Sequence, residues 1–273
     1  GCPQQAIVVA FSIDERTLAD WLSKAGKLGE RIQDQVVCNG QVELGQVQAD
    51  ELYVKMQGGR VWMATAMSVF SRLFLWGEVS PRRDRGLIRR LVGKVRAAAD
   101  RVQPVLFAVD GLAAYPKAVL KTFFTKQYTG KPGRPRHLIW PDLHIVQVVK
   151  QRTGMRLQTV SRRVYYGCRN RVTDLIAMSQ TACGLINTAY IERLNATFRA
   201  RMPSLVRRTR NLARTTARLK AEMFWTGVVY NFCTEHTSLG SSPAMAADLT
   251  DHLWSVEEFL FFRPSQQSLH GVL

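Results

Sequence analysis

Asp50, Asp110 and Glu192 are the side chains whose settings in this sequence point most directly to chemistry. Asp50 falls in a stretch, 46–56, that alternates with a period of two. Gln48, Asp50, Leu52, Val54 and Met56 therefore share one strand face, and Ala49, Glu51, Tyr53 and Lys55 share the other. A carboxylate on the apolar face is costly to bury unless a cation or several donors compensate it, which suits a ligand for a hard divalent metal. The bland alternative is a frayed strand start bonded to backbone. Glu51 then points to the wrong side. Asp110 closes the apolar run Val105-Leu106-Phe107-Ala108-Val109, at the carboxyl end of a predicted buried strand, where open α/β sheets build their sites. Asp110-Gly111 is equally an ordinary turn dipeptide. If the two strands are neighbours, both acids reach shared metal ions about 3.5–4 Å apart.

Glu192 sits in the first turns of a helix predicted from Thr188, beside the apolar stripe Ile191, Leu194, Phe198 and Met202, with Asn195 and Arg199 running alongside it. An acid at a helix start also simply suits the helix dipole. Its surroundings are less ordinary: Arg193, Arg199, Arg201, Arg207, Arg208, Arg210, Arg214, Arg218 and Lys220 follow with no acid before Glu222. Such a run is either a solvated helix face or a surface whose self-repulsion phosphates relieve. The whole chain has the same bias, with 38 Lys and Arg against 21 Asp and Glu and a net charge of +17. A polyanion, nucleic acid first, is the expected partner.

The elements that must position these residues read as follows. An apolar helical pattern over 5–11 leads to Ser12 and Glu15, which can form a capping box for a second helix carrying Leu18, Trp21, Leu22 and Ala25, with Gly26 as its stop. Arg16, Thr17, Asp20 and Lys24 point elsewhere, so 1–40 outlines a partial helix-turn-helix able to present Arg16, Thr17 and Lys24 to DNA, or two packed helices with no such role. Strands are predicted at 46–56, 60–70 and 72–80, a helix at 85–99, a strand at 105–109 and a helix at 113–124. The loop 129–136 is basic and rich in breakers, and places Lys131, Arg134 and Arg136 at the surface. A strand pair over 143–150 and 156–166 follows, then helices from 188 to 233, and a tail with a short helix near 256–262. One main domain over 41–235 and a tail over 236–273 fit this length.

Five cysteines at 2, 38, 168, 183 and 233 make no C-x-x-C pair, which argues against a zinc cluster or a disulfide framework and for a reducing cytosol. The apolar stretch 61–76 is too interrupted for a membrane span, and no signal peptide is expected. The chain opens on Gly1 rather than Met, so upstream sequence is expected to be missing.

In this order of elements, Gln48-Ala49-Asp50-Glu51-Leu52-Tyr53, Val109-Asp110-Gly111 and Asn187-Thr188-Ala189-Tyr190-Ile191-Glu192-Arg193-Leu194-Asn195 resemble the DDE transposases of small bacterial insertion sequences, over most of the chain. The resemblance implies an α/β, ribonuclease H-like catalytic core, a mixed sheet flanked by helices. It also implies Asp50, Asp110 and Glu192 as the catalytic, metal-holding carboxylates, with two Mg²⁺ or Mn²⁺ ions. The implied reaction is cleavage of double-stranded DNA at element ends, followed by attack of the freed 3′-hydroxyl on target DNA. Arg193, Asn195 and Arg199, with the 131–136 loop, would hold the DNA backbone. A homo-oligomer on paired ends, in a bacterial cytoplasm and at the nucleoid when bound to DNA, completes the expectation. A nuclease or resolvase that only hydrolyses, and a DNA-binding protein without catalysis, are the alternatives.

Overall fold

The computed structural model describes residues 4–99, 101–128, 130, 133–154, 156–179, 184–206 and 210–263. Its helices are α1 (Gln4–Phe11), α2 (Glu15–Ile32), α3 (Arg85–Ala98), α4 (Ala114–Leu120), α5 (Arg169–Met178), α6 (Ala189–Arg201), α7 (Thr216–Phe232) and α8 (Val256–Phe261). Its strands are β1 (Gly45–Met56), β2 (Gly59–Ser68), β3 (Phe74–Ser80), β4 (Val105–Asp110), β5 (Phe124–Gln127), β6 (Arg136–Ile139), β7 (Leu143–Thr153) and β8 (Arg156–Tyr166).

Six strands form one mixed sheet in the order β3-β2-β1-β4-β7-β8. The meander β1–β2–β3 is antiparallel, β4 lies parallel to β1 and to β7, and β8 returns antiparallel to β7 at the edge. The fold is therefore α/β with helices on the sheet, a layout compatible with a ribonuclease H-like core. β1 and β4 are central neighbours, as the two-acid reading requires. Every residue of β4 before Asp110 is buried. Leu106 and Ala108 pack with Val172, Leu175 and Ile176 of α5. On the opposite face Phe107 meets Phe123, which meets Trp140. A strand covered on both faces needs this unbroken apolar run.

The amino-terminal helices differ from the expected pattern. Asp14, not Ser12, caps α2, accepting from the Arg16 and Thr17 amides at 2.8 and 3.3 Å. Gly26 does not end that helix; α2 runs on to Ile32 and is laid along α7. A Cβ at Gly26 would meet the Ala221 backbone at 2.5 Å, so glycine serves close helix packing rather than a stop. Ile32, Val37 and Cys38 join the main core. Asn231 of α7 then ties this region to β3, exchanging bonds with the Phe74 backbone at 2.8 and 2.9 Å, and Gln33 donates to the Phe74 and Leu75 carbonyls.

Two further differences concern the second half. The predicted helix 113–124 ends at Leu120, and β5 pairs with β6 in a small separate hairpin. Arg136 thus lies in a strand rather than in the basic loop. Helix α5 was not predicted at all. Among the described residues no helix is long and apolar enough to cross a membrane.

Candidate metal centre

The parallel register pairs Gln48 with Ala108 and Ala49 with Val109, so Asp50 and Asp110 follow side by side, on the face that carries α5 and α6. Gln48 fixes α6 to that face: its Oε1 accepts from the Ile191 amide at 3.0 Å and its Nε2 donates to the Asn187 carbonyl at 2.9 Å. Asn195, one turn further along α6, donates to Asp50 Oδ2 at 2.9 Å and accepts from Thr65 Oγ1 at 2.9 Å. Asp110 is held at both ends. Its Oδ1 accepts from the Leu112 amide at 2.9 Å, and its carbonyl accepts from Gln147 Nε2 at 3.1 Å. Gln147 in turn accepts from Arg163 of the edge strand at 2.7 and 3.1 Å.

Glu51 points to the opposite face, as strand alternation requires, yet it is brought to the same spot. Its Oε1 accepts from Arg83 Nε at 2.6 Å and its Oε2 from the Tyr115 hydroxyl at 3.1 Å, with the side chain wholly buried. Arg83 Nη2 also reaches Asp110 Oδ2, at 3.4 Å. One carboxylate oxygen each from Asp50, Glu51 and Asp110 lie within 4.8 Å of one another. Glu51 therefore belongs to the acidic group, contrary to the expectation from strand alternation: opposite strand faces do not separate two acids where the neighbouring strand β4 stops at Asp110.

Burial pushes the Asp50 carboxyl up, and the charges of Asp110 and Glu192 push the same way, against hydrogen bonds from the Glu51 backbone and Asn195. Glu51 is likewise raised by burial and by Asp110, with Arg83 pulling it down. Burial and the three acids hold the Tyr115 phenol well above its usual range, so it remains a hydrogen-bond donor. Desolvation works against the Arg83 charge, but the bonds and charges of Glu51 and Asp110 outweigh it. Three carboxylates thus crowd one spot. Among the described residues Arg83 is the one cation directly bonded to them.

Glu192 stands outside this group. It lies in the first turn of α6, half-exposed, where its Oε1 accepts from Lys150 Nζ of β7 and from Thr188 Oγ1. It is near enough for its charge to raise Asp50. Of the residues expected to touch nucleic acid, Arg16, Thr17, Lys24, Arg134, Arg136 and Arg193 are exposed, Lys24 pairing with Asp20 at 2.7 Å. Arg199 is half-buried. Lys131, with Arg207 and Arg208 of the basic run, lies outside the described residues. Asn195 is buried, its amide used by Asp50 and Thr65, so its expected contact with nucleic acid is replaced by a role in holding the acid.

Sequence reading missed Glu51, Arg83, Tyr115 and Gln147. Only Glu51 had a local signal, as the acid adjoining Asp50; the other three reach the site by tertiary contact. No protein-family model matches this chain, and no curated protein matches it.

Proposed function

We propose that this chain is a metal-dependent DNA phosphoryl transferase that cuts DNA at element ends and joins the freed 3′-hydroxyl to target DNA, in the manner of the transposases its motifs resemble. The observation that carries this reading is the meeting of Asp50 and Asp110 at adjacent positions of the two central parallel strands. Carboxylates that are partly desolvated and mutually repelling, with one guanidinium among them, suit a hard divalent cation such as Mg²⁺ or Mn²⁺. Asp50 and Asp110 would hold it, with Glu192 as third carboxylate. When bound, such ions activate the attacking oxygen and stabilise the leaving one. Asn195 and the Leu112 amide orient the two aspartates. Glu51, both of whose oxygens are occupied, positions Arg83 against Asp110.

DNA as substrate is supported by two acid-free basic runs, each of which begins beside Glu192. One follows Glu192; the other spans 150–171, where Lys150, Arg152, Arg156, Arg162, Arg163, Arg169 and Arg171 occur without an acid. Much of the second run lies on the exposed edge strand β8. Arg16, Thr17 and Lys24 on the outer side of α2 would add a helix-turn-helix contact to the duplex.

Asp110→Asn is the direct test, with a labelled duplex carrying the element's own ends. Mg²⁺-dependent cutting and joining should fall to background while duplex binding is retained or strengthened, because one negative charge near phosphates is removed. Activity equal to the parent's would remove Asp110 from the site. Cut but never joined products from the parent would assign the hydrolytic alternative.

A further inference from the structure

On α6, Tyr190, Arg193 and Thr197 lie on a helical face different from that of Asn195, and they face Arg72 in the β2–β3 turn, Tyr230 near the end of α7 and His236 in the segment that follows it. Together these six line a small cavity of ≈ 50 Å³, room for one oxyanion and not for a nucleotide. The walls are assembled rather than incidental. The Arg72 guanidinium stacks 3.9 Å from the centre of the Tyr190 ring, and the Tyr230 hydroxyl donates to the Arg72 carbonyl at 3.0 Å. The His236 ring packs edge-on against Tyr230, 4.8 Å between centres. Arg201, close by, donates to Thr234 Oγ1 at 3.2 Å.

No carboxylate lines this cavity among the described residues, and neither Arg72, Arg193 nor Arg201 forms an ion pair with one there. The uncompensated charge is felt by its neighbours: burial, then Arg201, Arg72 and Arg193, push the His236 imidazole down. Arg72 itself is lowered by burial, against the pull of Tyr190 and Tyr230, with Arg193 adding a smaller push downward. A half-buried guanidinium, Arg72, held beside the exposed Arg193 without an anion costs free energy that a bound anion recovers. The guanidinium groups of Arg193 and Arg72 offer directed donors that match phosphate oxygens, one Arg72 nitrogen being kept by the Val69 carbonyl, while the Tyr230 and Thr197 hydroxyls, each donating to a backbone carbonyl, complete the polar wall.

We propose that this pocket binds a single phosphate group, that of a DNA backbone passing beside α6. It stands apart from the cleavage reading, since phosphate would be held whether or not the acids catalyse. Two measurements in metal-free buffer test it, both on the full chain. In the first, binding of a short fluorescein-labelled duplex is followed by anisotropy over a range of salt. The exposed Arg193→Ala variant should weaken binding and reduce the salt slope by about one, the loss of one phosphate contact, whereas Arg89→Ala on the exposed side of α3 should leave the slope unchanged. In the second, inorganic phosphate is titrated and its ³¹P line width recorded with parent and Arg193→Ala. A changed duplex slope assigns the pocket to DNA backbone. Phosphate broadening lost in Arg193→Ala, with the duplex slope unchanged, assigns it to free phosphate. Equal slopes for the two variants together with equal line widths for parent and Arg193→Ala overturn the proposal. Neither measurement includes a cleavage step, so an inactive Asp110→Asn protein with a normal slope would leave the pocket standing, and the converse result would leave the metal centre standing.

Discussion

At the scale of single residues, the two neighbouring acids of β1 have opposite duties. Asp50 keeps one oxygen free of side-chain donors and is raised by burial, whereas Glu51 is sealed between Arg83 and Tyr115. A carboxyl raised in the folded state contributes stability that is complete at pH below its unfolded range and is lost as pH climbs through its folded value. Asp50→Asn should therefore raise the metal-free melting temperature at neutral pH, by about 2–4 °C for each kcal/mol recovered, and the gain should vanish in acid. Glu51 is raised too, but Glu51→Gln also gives up a charged hydrogen bond worth about 1.5–3 kcal/mol and leaves Arg83 only its longer contact with Asp110, so it should instead lower the melting temperature. Activity should rank the other way, with Asp50→Asn the more damaging. Thermal melts at two pH values and a cleavage assay decide it; stabilisation by Glu51→Gln at neutral pH would mean that burial outweighs the bond to Arg83 at Glu51. The sequence made Asp50 and Asp110 legible because strand period and the end of an apolar run are local signals. Arg83 was illegible: it follows β3 in a polar turn, and only folding brings it to Glu51 and Asp110.

At the scale of elements, the site is set by how α6 rests on β1 and how β7 flanks β4. Gln48 anchors the start of α6, and Lys150 of β7 holds Glu192. If Glu192 is the third metal-holding carboxylate, Lys150 competes with the cation for it. Lys150→Ala should then lower the Mg²⁺ concentration needed for half-maximal cleavage, measured by titration at fixed salt; an unchanged requirement would favour Glu51 as the third ligand. Elements with long periodic patterns were readable, α3 and β4 among them. The misses have physical causes. Helix α5 has only Val172, Leu175 and Ile176 to bury, too short a stripe to stand out, and its capping residue Cys168 gives no side-chain bond. The strand β5 is four residues long and largely exposed, and pairing with β6 across an intervening loop is what makes it a strand. At Ser12-Ile13-Asp14-Glu15 two good capping residues compete, and α1 leaves Asp14 in the capping position.

At the scale of the whole molecule, a chain with a net charge of +17 brings three carboxylates together in one small cluster. That arrangement is legible in outline from composition alone, since charge balance needs no fold. Its spatial form is not: Lys150 to Arg171 reads as a strand pair in sequence, and only as the edge of the sheet does it become a basic border to the acids. On the proposed reading the outer charge attracts DNA, and a divalent counter-ion neutralises the inner acids. The central claim is that Asp50 and Asp110 together form a divalent-cation site, and binding of Mn²⁺ followed by the loss of its free-ion EPR signal addresses it without any DNA or turnover. The parent protein should take up Mn²⁺, and Asp50→Asn and Asp110→Asn should each lose most of that uptake while remaining folded; uptake by both variants equal to the parent's would contradict the account.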